Sequence, residues 1–108
     1  MTEKRNQTRY ASQAHARIAE VFDGMILLKD ISVTGCAIES TVFMEMKLSG
    51  RYKMEILPEK AANIDPFEIV VELMWTRKSG YSFDAGFSIV ESPKGKFFSR
   101  YVDYLSWR

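Results

Sequence analysis

One cysteine and one histidine are all this chain has of the residues that most often build metal and redox centres. A single Cys36 excludes an internal disulfide, and one thiol with one imidazole cannot assemble a metal site. Cys36 follows Gly35 in a strand-like run, so it reads as a buried free thiol. His15 has no acid or cysteine at catalytic spacing and reads as a surface or strand-edge residue. No uncharged apolar stretch approaches the ~18–20 residues that span a bilayer. The polar N-terminus has no signal-peptide apolar region, which makes a cytoplasmic location the default expectation. Net charge is also scarce. Fifteen basic and fourteen acidic side chains leave +1, so there is no global field to hold a long nucleic acid. Repeats, low-complexity tracts and glycine-rich phosphate loops are missing as well.

What is present fits one ordinary domain over 1–108, with 46% hydrophobic and 27% charged residues. The positive charge that matters is local. Lys4, Arg5, Arg9 and Arg17 cluster at the start, with Glu3 the only acid before Glu20. Such a cluster suits a small anion better than a polyanion. Residues 1–13 carry no apolar period and are expected to form a flexible arm.

After the arm come short strands and turn signals. A strand is expected over Ala16 to Phe22, then an Asp23-Gly24 turn and a buried strand at Met25 to Leu28. Asp30 to Gly35 reads as a turn, with Cys36-Ala37-Ile38 resuming the strand. Thr41 to Gly50 is open between a helical turn and a loop. Arg51 to Leu57 alternates as a half-buried strand. Pro58 to Pro66 is a loop. Ile69, Val71, Leu73 and Trp75 share one parity, which slightly favours a core position for Trp75. Lys78-Ser79-Gly80 is expected as the hairpin turn before Tyr81 to Val90. Ser92-Pro93 signals a helix start, and Phe97, Phe98, Tyr101, Val102 and Leu105 then give one apolar face over about 93–106. Tyr104 and Trp107 are left for a partner. Short strands with one terminal helix argue for a small antiparallel barrel with the helix packed on it.

Two short motifs carry chemistry. Arg5-Asn6-Gln7-Thr8-Arg9 sets two guanidiniums four positions apart, and Asp30-Ile31-Ser32-Val33-Thr34-Gly35 sets an acid, a hydroxyl and a glycine at fixed offsets. Arginine grips phosphate or the O6/N7 edge of guanine with a planar fork, and it stacks on bases. A carboxylate accepts the paired donors of guanine's other edge. A serine hydroxyl bonds phosphate or base, or satisfies backbone donors in its own turn, as an aspartate also does. Glycine lets backbone approach closely.

In order and spacing, RxxxR followed by DxSxxG resembles the PilZ domain, a bacterial receptor module for cyclic di-GMP. The strand Glu68 to Arg77 and the Gly86-Phe87 element of the next strand look like that family's paired central strands. The resemblance implies a six-stranded antiparallel barrel with a C-terminal helix, no catalysis and no cofactor. Cyclic di-GMP would be the ligand and a protein the downstream partner. It implies Arg5, Arg9, Asp30, Ser32 and Gly35 as ligand-binding residues. Lys4 stands where many members have a further arginine, a position linked to binding one nucleotide or a stacked pair. Trp75 and Arg77 are candidates to stack on or edge a base. The arm would be mobile when free and close over the nucleotide. Ordering it costs ~1–2 kcal/mol per residue, to be offset by charge-assisted bonds. The rival reading is a protein-interaction module with this fold that binds no nucleotide. A flavin-binding small-barrel enzyme is a third, for which no phosphate loop or acid/base pair speaks.

Overall fold

Alternating burial along the strands wraps one antiparallel sheet around a single apolar centre. The computed structural model describes residues 8–91 and 96–107. Within them the chain forms β1 (Tyr10–Ala11), β2 (His15–Arg17), β3 (Ile26–Ile31), β4 (Gly35–Ser40) and β5 (Arg51–Leu57). A 3-10 turn (Lys60–Ala62), β6 (Phe67–Ser79), β7 (Ser82–Glu91) and α1 (Phe97–Trp107) follow. The sheet order is β1-β3-β2-β5-β6-β7-β4, and β3 also pairs with β4. That last pairing closes six strands into a ring, with β1 as an extra segment beside β3. The expected six-stranded antiparallel barrel with a C-terminal helix is therefore the architecture found. No helix among the described residues is long and apolar enough to cross a membrane.

The core is filled by residues that alternate inward, among them Leu28, Ile38, Met54, Ile56, Ile69, Val71, Leu73 and Phe87. α1 lays Phe98, Tyr101, Val102 and Leu105 against it. The Tyr101 hydroxyl is 2.7 Å from Ser12 Oγ and donates to Glu59 Oε1 at 2.7 Å, so the helix pins the segment after β1 to the loop before β6. Cys36 is buried and free, as its sequence position implied. Burial pushes its thiol up to about 12, against the opposing pull of Arg9.

Several local expectations are corrected. The arm expected over 1–13 is already sheet at Tyr10–Ala11, paired with Ile31 and Asp30, because Tyr10 has a ring to pack on the core. The strand expected over Ala16 to Phe22 stops at Arg17. The N–H groups of Val21 and Phe22 both bond back to the Ile18 carbonyl, and the chain turns there. Asp30 lies within β3 rather than in the following turn, because an irregularity between Leu28 and Asp30 lets the strand run on to Ile31. Residues 41–50 contain no helix. The hairpin turn is Gly80-Tyr81, flanked by the pair Ser79 and Ser82. It does not begin at Lys78, since Gly80 alone of these takes a left-handed φ of 58°. The helix signal at Ser92 and Pro93 lies outside the described residues. Phe97, expected on the apolar face of α1, is largely exposed.

Trp75 is not in the core. The β6–β7 register shifts between Leu73 and Trp75, which leaves Met74 as an extra residue. One inserted residue in a strand reverses the parity of everything beyond it. Trp75 is 43% exposed and sits on the outer face.

Candidate functional site

Two of the three register irregularities among the described residues, at Lys29 and at Met74, flank one face of the barrel, and between them the outer face is paved with small residues. Following the paired positions, Asp30 on β3 lies opposite Ala37 on β4, Ala37 opposite Gly86 on β7, and Gly86 opposite Trp75 on β6. Three strand spacings separate the ends of this row, roughly 14 Å. The neighbouring row runs Leu27, Glu39, Asp84, Arg77.

At the β3 end, Arg9 Nη1 donates to Asp30 Oδ1 at 2.8 Å, with both side chains partly in water. Gly35 completes this corner. A Cβ there would lie 2.8 Å from the Phe87 carbonyl oxygen and 2.9 Å from Arg9 Nη2. The missing side chain is the seat of the guanidinium. Residues from three separate stretches of sequence thus meet at one point, and Gly35 is required by that approach rather than by an unusual φ.

Ser32 belongs to the turn below it. It is 1% exposed. Its Oγ accepts from the N–H groups of Thr34 and Gly35, each at 3.2 Å, while its own N–H donates to the Gly35 carbonyl at 2.8 Å. The turn-capping role weighed for both Asp30 and Ser32 therefore falls to Ser32. Asp30, being in the strand, spends its carboxylate on Arg9.

At the β6 end the Trp75 indole lies over Gly86, where any Cβ would overlap the ring. The Arg77 guanidinium sits 5.8 Å from the Trp75 ring centroid and donates to Asp84 Oδ2 at 2.9 Å. Lys29 Nζ reaches the same oxygen at 3.5 Å. Asp84 is 7% exposed, and its Oδ1 is buried without a hydrogen bond. Arg77, and then Lys29, hold its carboxyl below the usual carboxylate range, although burial works the other way.

Of the residues singled out from sequence, Arg9 bonds Asp30 and lies over Gly35, Ser32 supports the turn beside them, and Trp75 with Arg77 occupies the far end of the same face. Lys4 and Arg5 lie outside the described residues. Lys29 and Asp84 were missed. Asp84 was within reach. Once the turn is placed at Gly80-Tyr81, simple antiparallel register sets Arg77 opposite Asp84. Lys29 had no such signal, since its position depends on the irregularity in β3.

The arrangement offers a cationic and a carboxylate group at one end, an exposed indole stacked by arginine at the other, and a flat floor between. These groups have the chemistry to bind a planar, anionic molecule. Among the described residues, no group of three or more histidine, cysteine, aspartate or glutamate side chains is placed to hold a metal. A groove of about 590 Å³ lies elsewhere, on the β2–β5–β6 side between Arg17, Glu20, Lys53 and Glu68.

Among solved structures the chain is similar to the Bacillus subtilis inhibitor of motility (MotI/DgrA), with a TM-score of 0.79 and 16% identity. The fold is PilZ-like. The match covers 99% of this chain and 51% of that one, so the PilZ-like barrel spans about half the length of its neighbour. No family model and no curated protein matches the chain.

Proposed function

We propose that this chain is a non-catalytic receptor for cyclic di-GMP that passes its occupancy to a protein partner. The observation that carries this reading is the corner where Arg9, Asp30 and Gly35 meet, because a glycine kept open for a guanidinium is a costly arrangement for a mere surface ion pair. Phosphate or a guanine edge would take the Arg9 fork, and Asp30 would accept donors from the base. Trp75 would stack on a base, an interaction worth about 1–3 kcal/mol in single-stranded recognition. Arg77 would border it. Arg5 and Lys4 would add further charge-assisted contacts to the same anion. A structural neighbour named as an inhibitor supports a regulatory role over a catalytic one.

The test is calorimetric titration with cyclic di-GMP, using GTP and a linear dinucleotide as competitors. Micromolar or tighter binding is expected, about −8 kcal/mol or stronger. No heat at tens of micromolar protein in moderate salt overturns the reading. One observation favours the rival, an interaction module that binds no nucleotide: Arg9 and Asp30 already satisfy each other at 2.8 Å. Under that reading Arg9→Ala changes partner binding and the titration stays flat.

A further inference from the structure

The β6–β7 hairpin projects past β5, while β4 accompanies β7 as far as Phe83. β5 pairs with β6 only as far as Glu72, opposite Arg51, and Leu73 then exchanges bonds with Ser49 and Gly50. Beyond that point, among the described residues, no strand pairs with the β5 side of β6. Residues 74–79 are all exposed. Leu73 turns its peptide groups toward β5, so past the extra residue Met74 the alternation points those of Thr76 and Lys78 the same way. A twisted but unpaired strand edge is a template for another strand.

Its surroundings say what kind. Arg77 and Lys78 stand on the edge, and Lys78 forms no ion pair with any described residue; its ammonium lies 5.1 Å from the Phe43 ring centroid. Next to it a groove of about 270 Å³ lies between Phe43, Lys78 and Tyr81, and Tyr81 is 95% exposed. Two copies of this edge laid together would bring two Arg77-Lys78 pairs against each other, which like-charge contact across strands disfavours.

We propose that residues 74–79 are the docking edge for an extended, acidic segment of another protein, added to the sheet as a further strand beside β6. Main-chain bonds to Thr76 and Lys78 supply the attachment, carboxylates meet Lys78, and an apolar side chain enters the Phe43–Tyr81 groove. Trp75 and Arg77 belong both to this edge and to the candidate nucleotide face. Naming the docked protein as the recipient of the nucleotide signal rests on the receptor reading above; the docking edge itself does not.

The experiment selects displayed random peptides on the full chain without nucleotide. Enriched peptides are then titrated against wild type, Thr76→Pro and Lys78→Glu by fluorescence polarisation. Proline removes an edge N–H and is tolerated where that group faces solvent, so Thr76→Pro keeps the wild-type melting temperature and cyclic di-GMP titration. The expected result is acidic, strand-prone peptides that lose at least tenfold in affinity for Thr76→Pro and less for Lys78→Glu. Basic peptides, no enrichment, or equal binding to both variants overturns the proposal. So does a wild-type dimer in sedimentation that Thr76→Pro abolishes, which makes a second copy the occupant. If Thr76→Pro fails to fold, Lys78→Glu decides alone. Edge-dependent peptide binding with a flat nucleotide titration removes the receptor reading only, and the reverse pattern removes the docking edge only.

Discussion

The two sides of this barrel are built on different rules. On the β2–β5–β6 side, β5 pairs with both of its neighbours without a register shift, and the outward residues are long and charged. Arg17 pairs with Glu55 at 2.8 Å and Arg51 with Glu72 at 3.4 Å, so the groove on this side is lined by charges that answer one another. On the β3–β4–β7 side the strands carry irregularities, the outward residues shrink to Gly35, Ala37 and Gly86, and a buried Asp84 gathers two cations. The difference teaches that a well-formed groove and the residues proposed to bind a ligand need not share one side of a small barrel. Regular pairing makes a solvated wall that happens to be concave. Departures from regularity re-aim side chains, and two of them lie beside the residues proposed to take the ligand.

The largest expected contrast is in ligand binding. Arg9→Ala is expected to weaken cyclic di-GMP at least a hundredfold, about 2.7 kcal/mol, and Arg17→Ala on the regular side to leave calorimetric affinity within twofold. Equal losses would erase the distinction between the two sides.

A second contrast sharpens it in stability. Gly35→Ala forces a methyl against the Phe87 carbonyl and the Arg9 guanidinium, at a cost of about 1–3 kcal/mol. Ser32→Ala strands the turn's N–H groups, about 1–2 kcal/mol. Asp30→Ala removes only a half-exposed ion pair and stays under about 1 kcal/mol. Urea melts giving Asp30→Ala the larger penalty would put the turn cap back on the aspartate.

The smallest effect is electrostatic. Asp84→Asn is expected to lose about 1 kcal/mol at neutral pH, modest because Arg77 and Lys29 are largely in water, while Glu55→Gln shifts stability by less. Asp84 has a lowered folded pKa, so its contribution is complete above the unfolded value of 3.8 and fades as pH falls through the folded one. The gap between wild type and Asp84→Asn should therefore close below about pH 3.8 in thermal melts, and a gap that widens in acid would contradict the assignment.

Much of the molecule was legible one residue at a time. Alternation in Arg51–Leu57 gave β5 to the residue, and the helical spacing of Phe98, Tyr101, Val102 and Leu105 gave the packed face of α1. Both are local periodicities that burial rewards directly. The motif residues were legible as chemistry, since an arginine fork, a carboxylate and a glycine carry their capacities wherever they sit. What the linear order determined by itself was the barrel class, the terminal helix, the inert buried cysteine and the types of group on offer. Tertiary structure alone decided where they meet. An inserted residue at Met74 turned Trp75 outward, an irregularity at Lys29 drew Asp30 into β3, and closure of β3 on β4 brought Arg9 over Gly35. These follow from strand pairing between distant segments, because a one-residue shift in register moves a side chain to the opposite face and leaves no trace in the local pattern.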